Sequence, residues 1–250
     1  MSKYRLIVHT DPKSPISEAY RTLRTNIQFS SLDNPIKTMV VTSAGPGEGK
    51  TTSVMNLAVT MAQFGSRVLL IDGDLRKPAL HKIFAISNEL GLTNVLVGEQ
   101  DYKEGVSPTH VERLEILPAG VIPPNPSELL ASNKMKQLLN KVREDYDFVI
   151  IDTPPAAVVT DASVLSAVVD GTVLVCASGQ VPIEGAKRAK ELLENVNANI
   201  IGVILNKIPT DQKGYSQYYY YHYYREDSPK KNKKGLKING RFAQSYSAKY

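Results

Sequence analysis

Apolar residues along this 250-residue chain follow two alternating rhythms. In "SPISEAYRTLRTNIQFS", residues 14–30, Ile16, Ala19, Tyr20, Leu23 and Ile27 recur at helical spacing and make one apolar face. Ser14 is suited to cap that helix and Pro15 to open it. Glu18 and Arg21 lie off the face and Arg24 lies on its flank. Residues 1–13 read as an extended lead-in. Beyond the helix the rhythm changes to short continuous apolar runs: "KTMVVTSA", "RVLLIDGD", "LEILPAG", "DFVIIDTPP", "GTVLVCAS" and "NIIGVILNK". Runs of Val, Ile and Leu without alternation predict strands covered on both faces. Helical stretches separate them, among them "KTTSVMNLAVTMAQFG", "PSELLASNKMKQLLNKVRED" and "PIEGAKRAKELLENVN". Strands alternating with helices predict right-handed crossovers and an α/β fold, a doubly wound, mostly parallel sheet. The pattern predicts one domain over residues 14–210. From residue 211 the periodicity is gone, and residues 211–250 read as a disordered tail, tyrosine-rich and then lysine-rich.

The junction of the first strand and the next helix carries "SAGPGEGKTT". From Ala44 it reads A-x-x-x-x-G-K-T, a phosphate-binding loop with Ala in place of the usual first Gly. Small residues allow backbone N–H groups to curl around a phosphate, and the helix N-terminus adds its positive dipole end. Gly45, Gly47, Glu48, Gly49, Lys50, Thr51 and Thr52 are therefore the expected nucleotide contacts. Lys50 is expected at the β- and γ-phosphates and the Thr51 hydroxyl at Mg²⁺. This is the P-loop NTPase arrangement, with ATP and Mg²⁺ as its cofactors.

Two further runs end in carboxylates. "VLLIDGDLRKP" places Asp72 and Asp74 just past one strand, and "FVIIDTPP" places Asp152 at the end of another. Strand ends of a parallel sheet share one edge, so all three are expected beside Lys50. A single Asp after a strand is commonly a turn residue. Three beside a phosphate loop suit hard-oxygen coordination of Mg²⁺. Thr51, Asp74 and Asp152 are the expected metal ligands. Asp72 is expected to orient and deprotonate an acceptor hydroxyl, although Asp72 and Asp74 could exchange these roles. Asn206, at the end of the last run, is a candidate contact to the nucleotide base, or simply a cap.

Charge changes the picture only by its location. The net +5 resides in residues 225–250, which hold eight Lys/Arg against two Asp/Glu; residues 1–224 hold 22 against 23. A basic nucleic-acid-binding domain is not indicated. A single cysteine, Cys176, excludes an internal disulfide framework and points to a reducing, cytoplasmic setting. The four histidines, His9, His81, His110 and His222, lack metal-ligand spacing, so no zinc site is expected. No apolar run reaches the ~18–20 residues that span a bilayer.

A phosphate loop followed by "LLIDGDLR" and "VIIDTPP" resembles the bacterial tyrosine kinase family, in which a hydrophobic-DxDxR motif stands between the usual two. "SEAYRTLRTNI", "GLTNVLVG" and "LPAGVIPPNPSELLAS" strengthen the resemblance. Partitioning and division-site ATPases share the scaffold but carry a signature lysine where this chain has Gly45. The resemblance implies an autophosphorylating enzyme with catalytic residues Lys50, Asp72, Asp74 and Asp152. It gives a role to "YSQYYYYHYYRED", whose Tyr215, Tyr218, Tyr219, Tyr220, Tyr221, Tyr223 and Tyr224 become the acceptors. It matches Glu18, Arg21 and Arg24 to an E-x-x-R-x-x-R assembly motif, implying a ring in which each tail enters the next subunit. It also implies a separate transmembrane activator that recruits the chain to the membrane, a role in capsule or exopolysaccharide synthesis, and protein substrates such as sugar-nucleotide dehydrogenases. The rival expectations are a nucleotide-dependent scaffold or switch in polysaccharide assembly and a partitioning-type ATPase.

Overall fold

The computed structural model describes residues 6–30 and 35–209. In chain order the first half comprises α1 (Ile7–Thr10), α2 (Pro15–Phe29), β1 (Thr38–Ser43), α3 (Lys50–Gln63), β2 (Val68–Asp72), α4 (Leu80–Phe84), α5 (Leu92–Val97), α6 (Tyr102–Gly105), β3 (Ser107–Pro108) and β4 (Leu114–Leu117). The second half comprises α7 (Pro126–Leu130), α8 (Asn133–Asp145), β5 (Phe148–Asp152), α9 (Asp161–Ser166), β6 (Gly171–Ala177), α10 (Ile183–Glu194) and β7 (Ile200–Asn206). The seven strands form one sheet in the order β3-β4-β2-β5-β1-β6-β7. Every neighbouring pair is parallel except β3 with β4.

The continuous apolar runs are explained by the two layers of helices. Successive side chains of a strand point to opposite faces. Met39 and Val41 accordingly join a cluster with α3, while Val40 between them joins a second cluster with α8. Val68 and Leu70 divide from Leu69 and Ile71 in the same way. Helix α3 is buried on nearly all sides, since α1 and α2 cover the face that the sheet leaves open. Its mixed apolar character follows: a helix packed all round has no polar face to present.

Several expectations are corrected. The opening segment is not wholly extended: Ile7–Thr10 make a helical turn, anchored where the Val8 N–H donates to Asn56 Oδ1 of α3 at 3.1 Å. The single helix expected over residues 126–145 is two. The Ser132 side chain accepts from the Met135 N–H at 3.3 Å and starts α8 afresh, because a serine oxygen competes for helix donors and favours a cap over an interior. The last strand is not covered on both faces, since β7 is an edge strand with Val203 and Leu205 largely exposed. Strand β3 and the short helices α4, α5, α6 and α9 had no signal in the pattern. Pro108 is tolerated in β3 because an edge strand has a side that needs no N–H donor.

Candidate active site

The phosphate loop leaves β1 at Ser43 and enters α3 at Lys50. Ser43 Oγ donates to the Gly45 carbonyl at 2.8 Å and tightens the first bend. Gly47 and Gly49 take φ +78° and +90°, a backbone region that favours glycine. Gly49 also sits where a Cβ would lie 2.2 Å from Asn206 Nδ2. Ala44, the departure from the usual motif, is buried in a small cluster with Ala156 and Leu174 and serves as packing. The first N–H to bond back within α3 is that of Ser53, to the Gly49 carbonyl at 2.9 Å. By helix geometry the N–H groups of Lys50, Thr51 and Thr52 are left as the free donors of the N-terminus.

The Glu48 side chain has a role within the loop that the motif did not indicate. Its carboxylate is buried and accepts the Ala177 N–H of β6 at 2.8 Å and the Gly45 N–H of its own loop. The Glu48 side chain and the Gly45 N–H are therefore engaged with each other, and the side chain braces the loop. Asn206 also holds the loop, donating through Nδ2 to the Glu48 carbonyl at 2.8 Å. Lys207, not singled out from the sequence, donates to the Gly47 carbonyl and to Gln180 Oε1, both at 2.7 Å. The end of β7 thus clamps the phosphate loop from above. Only the position of Lys207 next to Asn206 hinted at this.

The acidic residues converge as expected. Asp72 and Asp152 are register partners at the ends of β2 and β5, and Val41 of β1 lies beside Asp152. Lys50 Nζ stands 3.5 Å from Asp74 Oδ2 and 3.5 Å from Asp152 Oδ1. The Thr51 hydroxyl donates to Asp152 Oδ2 at 2.7 Å. Gly73 permits the close approach between strands: its N–H donates to the Asp152 carbonyl at 2.8 Å, and a Cβ there would meet that oxygen at 2.9 Å.

The charges do not balance. Burial by itself would lower the pKa of the Lys50 ammonium, but Asp152, Asp74 and Asp72 together outweigh it and raise the pKa. Burial raises Asp152 despite the opposing pull of Lys50 and the Thr51 hydroxyl. Burial, with the charge of Asp152 alongside, lifts Asp72 to about 7 against the N–H groups of Leu80 and Ala79. One ammonium serves three carboxylates in a nearly dry site, and Asp152 Oδ1 is buried without a hydrogen bond. An added divalent cation would relieve that excess. Among the described residues no three His, Cys or carboxylate side chains close on one point as a ready-made cage. The hydroxyl and carboxylate oxygens present fit Mg²⁺, which takes one or two carboxylates and completes its shell with phosphate oxygens and water. Thr51, Asp74 and Asp152 are the residues that would hold it.

Asp72 is more confined than its neighbours. Oδ2 accepts the Ala79 and Leu80 N–H groups at 3.0 Å each, and Oδ1 accepts only a long bond, 3.3 Å, from the Asp74 N–H. Asp74 Oδ1 in turn accepts the Lys77 N–H at 3.0 Å. Arg76, the arginine of the DxDxR run, had no assigned role. It grips buried Asp161 of α9 with two 2.9 Å hydrogen bonds, and Ser127 Oγ donates to the same carboxylate at 2.6 Å. Arg76 fixes the acidic loop to α9 and α7. The DxDxR spacing was the available signal.

The remaining expected residues lie elsewhere. Glu18 and Arg21 pair with each other at 2.7 Å on α2, and Arg21 also donates to the Pro12 carbonyl at 2.6 Å. The Arg24 guanidinium lies 3.8 Å from the Phe64 ring centroid, beyond the end of α3. Tyr215, Tyr218, Tyr219, Tyr220, Tyr221, Tyr223 and Tyr224 lie outside the described residues.

Comparison with known proteins agrees with this geometry. The family described as the AAA domain matches residues 36–205. Tyrosine-protein kinase YwqD of Bacillus subtilis (strain 168) is 48% identical over 201 residues, 80% of this chain and 85% of that protein. CapB of Staphylococcus aureus is 45% identical over 213 residues, 85% and 93% of the two chains. Among solved structures, the chimerical protein CapA2B2 superposes with a TM-score of 0.79 at 44% identity, covering 82% of this chain and 90% of that one. The kinase domain of Escherichia coli tyrosine kinase ETK gives 0.80 at 34% identity, covering 84% and 83%. The septum site-determining protein MinD of Pyrococcus horikoshii OT3, complexed with Mg-ADP, gives 0.59 at 25% identity, covering 68% and 69%.

Proposed function

The chain belongs to the bacterial tyrosine kinase family and is a protein-tyrosine kinase, and on that premise we propose that it transfers the γ-phosphoryl group of ATP to its own C-terminal tyrosines. The observation that carries this reading is the meeting of Lys50 with Asp74 and Asp152 at the start of α3. It lies at the end of the sheet where the parallel strands β1, β5, β6 and β7 have their last residues.

Phosphoryl transfer needs positioning and charge neutralisation more than covalent chemistry. The free N–H groups of Lys50, Thr51 and Thr52 cradle the phosphates, and Glu48, Asn206 and Lys207 hold the loop in the shape that permits it. Lys50 offsets charge on the group in transfer, and Mg²⁺, when bound, supplies further neutralisation. Thr51, Asp74 and Asp152 would hold that ion. Asp72 accepts the proton of the acceptor hydroxyl through Oδ1, its less occupied oxygen. A carboxyl lifted to about 7 is better matched to a base near neutral pH than an ordinary one. The tyrosine oxygen bonds to the γ-phosphorus as the bridge to ADP breaks, and the leaving group departs as ADP.

We further place the reaction between copies of the chain, within a ring whose contacts include Glu18, Arg21 and Arg24. A separate membrane-spanning activator, which the family resemblance implies, would recruit the chain to the inner face of the cytoplasmic membrane. Control of capsule or exopolysaccharide synthesis, with sugar-nucleotide dehydrogenases among the substrates, is the role proposed. The test mixes wild-type chain with isotopically heavy Lys50→Met chain and Mg-ATP. Phosphotyrosine on the heavy tail is the expected result; modification confined to light chains refutes transfer between copies.

A further inference from the structure

A groove of about 610 Å³ opens behind the acidic loop, lined by Arg76, Lys77, Pro78, His81, Lys82 and Ile122 among others. Among the described residues no carboxylate lines it. Its cations differ in availability. Arg76 is committed to Asp161. Lys77 and Lys82 are exposed, and among the described residues neither ammonium has an ion pair or hydrogen bond. His81 Nδ1 is buried there without a partner. The same groove is lined by Ile122, 59% exposed, and by half-buried Pro78, which adds a second apolar surface. The groove therefore offers free positive charge beside a wall suited to a flat ring.

Groove and catalytic centre share a single stretch of backbone. The Lys77 N–H is bound to Asp74 and the Ala79 N–H to Asp72, so the residues that line the groove are held by the active-site carboxylates. We propose that this groove is a phosphotyrosine subsite, in which Lys77 and Lys82 hold the phosphate dianion and Pro78 and Ile122 hold the ring. The proposal rests on the kinase reading above and extends it. Seven tyrosines lie within residues 215–224, some adjacent and some two or three positions apart. An extended chain advances ~3.3–3.6 Å per residue. A segment seated by one finished phosphotyrosine would hold its next tyrosines within a few residues of the transfer site. Each phosphorylation then promotes the following one, which gives a dense cluster a purpose that a single acceptor would not serve. Binding here is non-covalent.

The test uses full-length protein, freed of phosphate by a tyrosine phosphatase that is then removed. Fluorescence anisotropy follows a labelled peptide of residues 215–224 with every tyrosine replaced by Phe except Tyr221, in phosphorylated and unphosphorylated forms. Phosphorylation should tighten binding at least tenfold. Lys77→Gln with Lys82→Gln should abolish that gain, and Lys77→Arg with Lys82→Arg should retain it. In Mg-ATP the Gln pair should lower the ratio of multiply to singly phosphorylated tails several-fold. Equal affinity of the two peptides, equal binding of a phosphoserine version, or an unchanged Gln pair overturns the subsite. The phosphorylated peptide has no free tyrosine hydroxyl to accept phosphate, so its binding without any labelling of the protein's own tail in Mg-ATP would sink the kinase reading and leave the subsite standing.

Discussion

Glu48 shows how much of the site depends on single hydrogen bonds. One buried carboxylate holds the N–H groups of Gly45 and Ala177, and an amide oxygen could serve only one of them well. Losing a charge-assisted bond costs about 1.5–3 kcal/mol. Glu48→Gln should therefore weaken Mg-ADP binding at least tenfold by calorimetry while the chain stays folded. Gly49→Ala should be more severe, because its φ of +90° and the 2.2 Å approach to Asn206 both oppose a methyl group; no measurable nucleotide binding is expected. Asp72 makes a pH prediction. Its pKa is about 7 folded against an ordinary 3.8, so the folded state holds the proton more tightly. Its stabilising contribution is complete below about 4 and is lost as pH rises through about 7. In EDTA, urea unfolding from pH 5 to pH 8 should show falling stability, with a shallower fall in Asp72→Asn. The identities of Lys50, Thr51 and the three aspartates were legible because motif spacing fixes where they stand. The engagement of Glu48, Lys207 and Arg76 was not, because it depends on which backbone groups the folded loops turn toward them.

Among the elements, legibility tracked length. Strands β1, β2, β5 and β6 and helices α2, α3 and α10 announced themselves through runs long enough to show a period. Helices α4, α5, α6 and α9, of four to six residues, complete fewer than two turns and leave no periodic trace. The break between α7 and α8 was hidden for a different reason. The heptad-like pattern runs through it, and only the folded backbone shows Ser132 turned to cap Met135. Ser132→Ala should cost about 0.5–2 kcal/mol in chemical denaturation, the usual value of an N-cap. By contrast Leu57→Ala, in the buried middle of α3, should cost about 2–5 kcal/mol. A smaller loss at Leu57 than at Ser132 would contradict the burial assigned to α3.

For the whole molecule the charge distribution sets the expected behaviour. Residues 1–224 are nearly neutral, and the tail ends in a lysine-rich segment. Each phosphotyrosine adds about −1.5 to −2, so complete modification of the cluster adds about −10 to −14. One phosphate dianion suits the Lys77 and Lys82 groove. A segment carrying the full charge of the cluster exceeds those two ammonium groups and would be repelled from a site already holding carboxylates and ATP. Phosphorylated protein should then sediment as a smaller species than Lys50→Met, and identical sedimentation of the two would contradict a ring held by tails. The doubly wound sheet was readable from the alternation of runs and helices. The order of its strands, which puts β2 and β5 side by side and so pairs Asp72 with Asp152, was not, because no local pattern encodes which strands are neighbours.

The central claim is that Lys50 and the three aspartates transfer phosphate to the tyrosine cluster. Incubating purified wild-type and Lys50→Met chains with Mg-ATP and mapping phosphate by mass spectrometry tests it directly. Phosphotyrosine within residues 215–224 of the wild type alone is the predicted result. Release of free phosphate with an unmodified tail, or equal labelling of Lys50→Met, would contradict it.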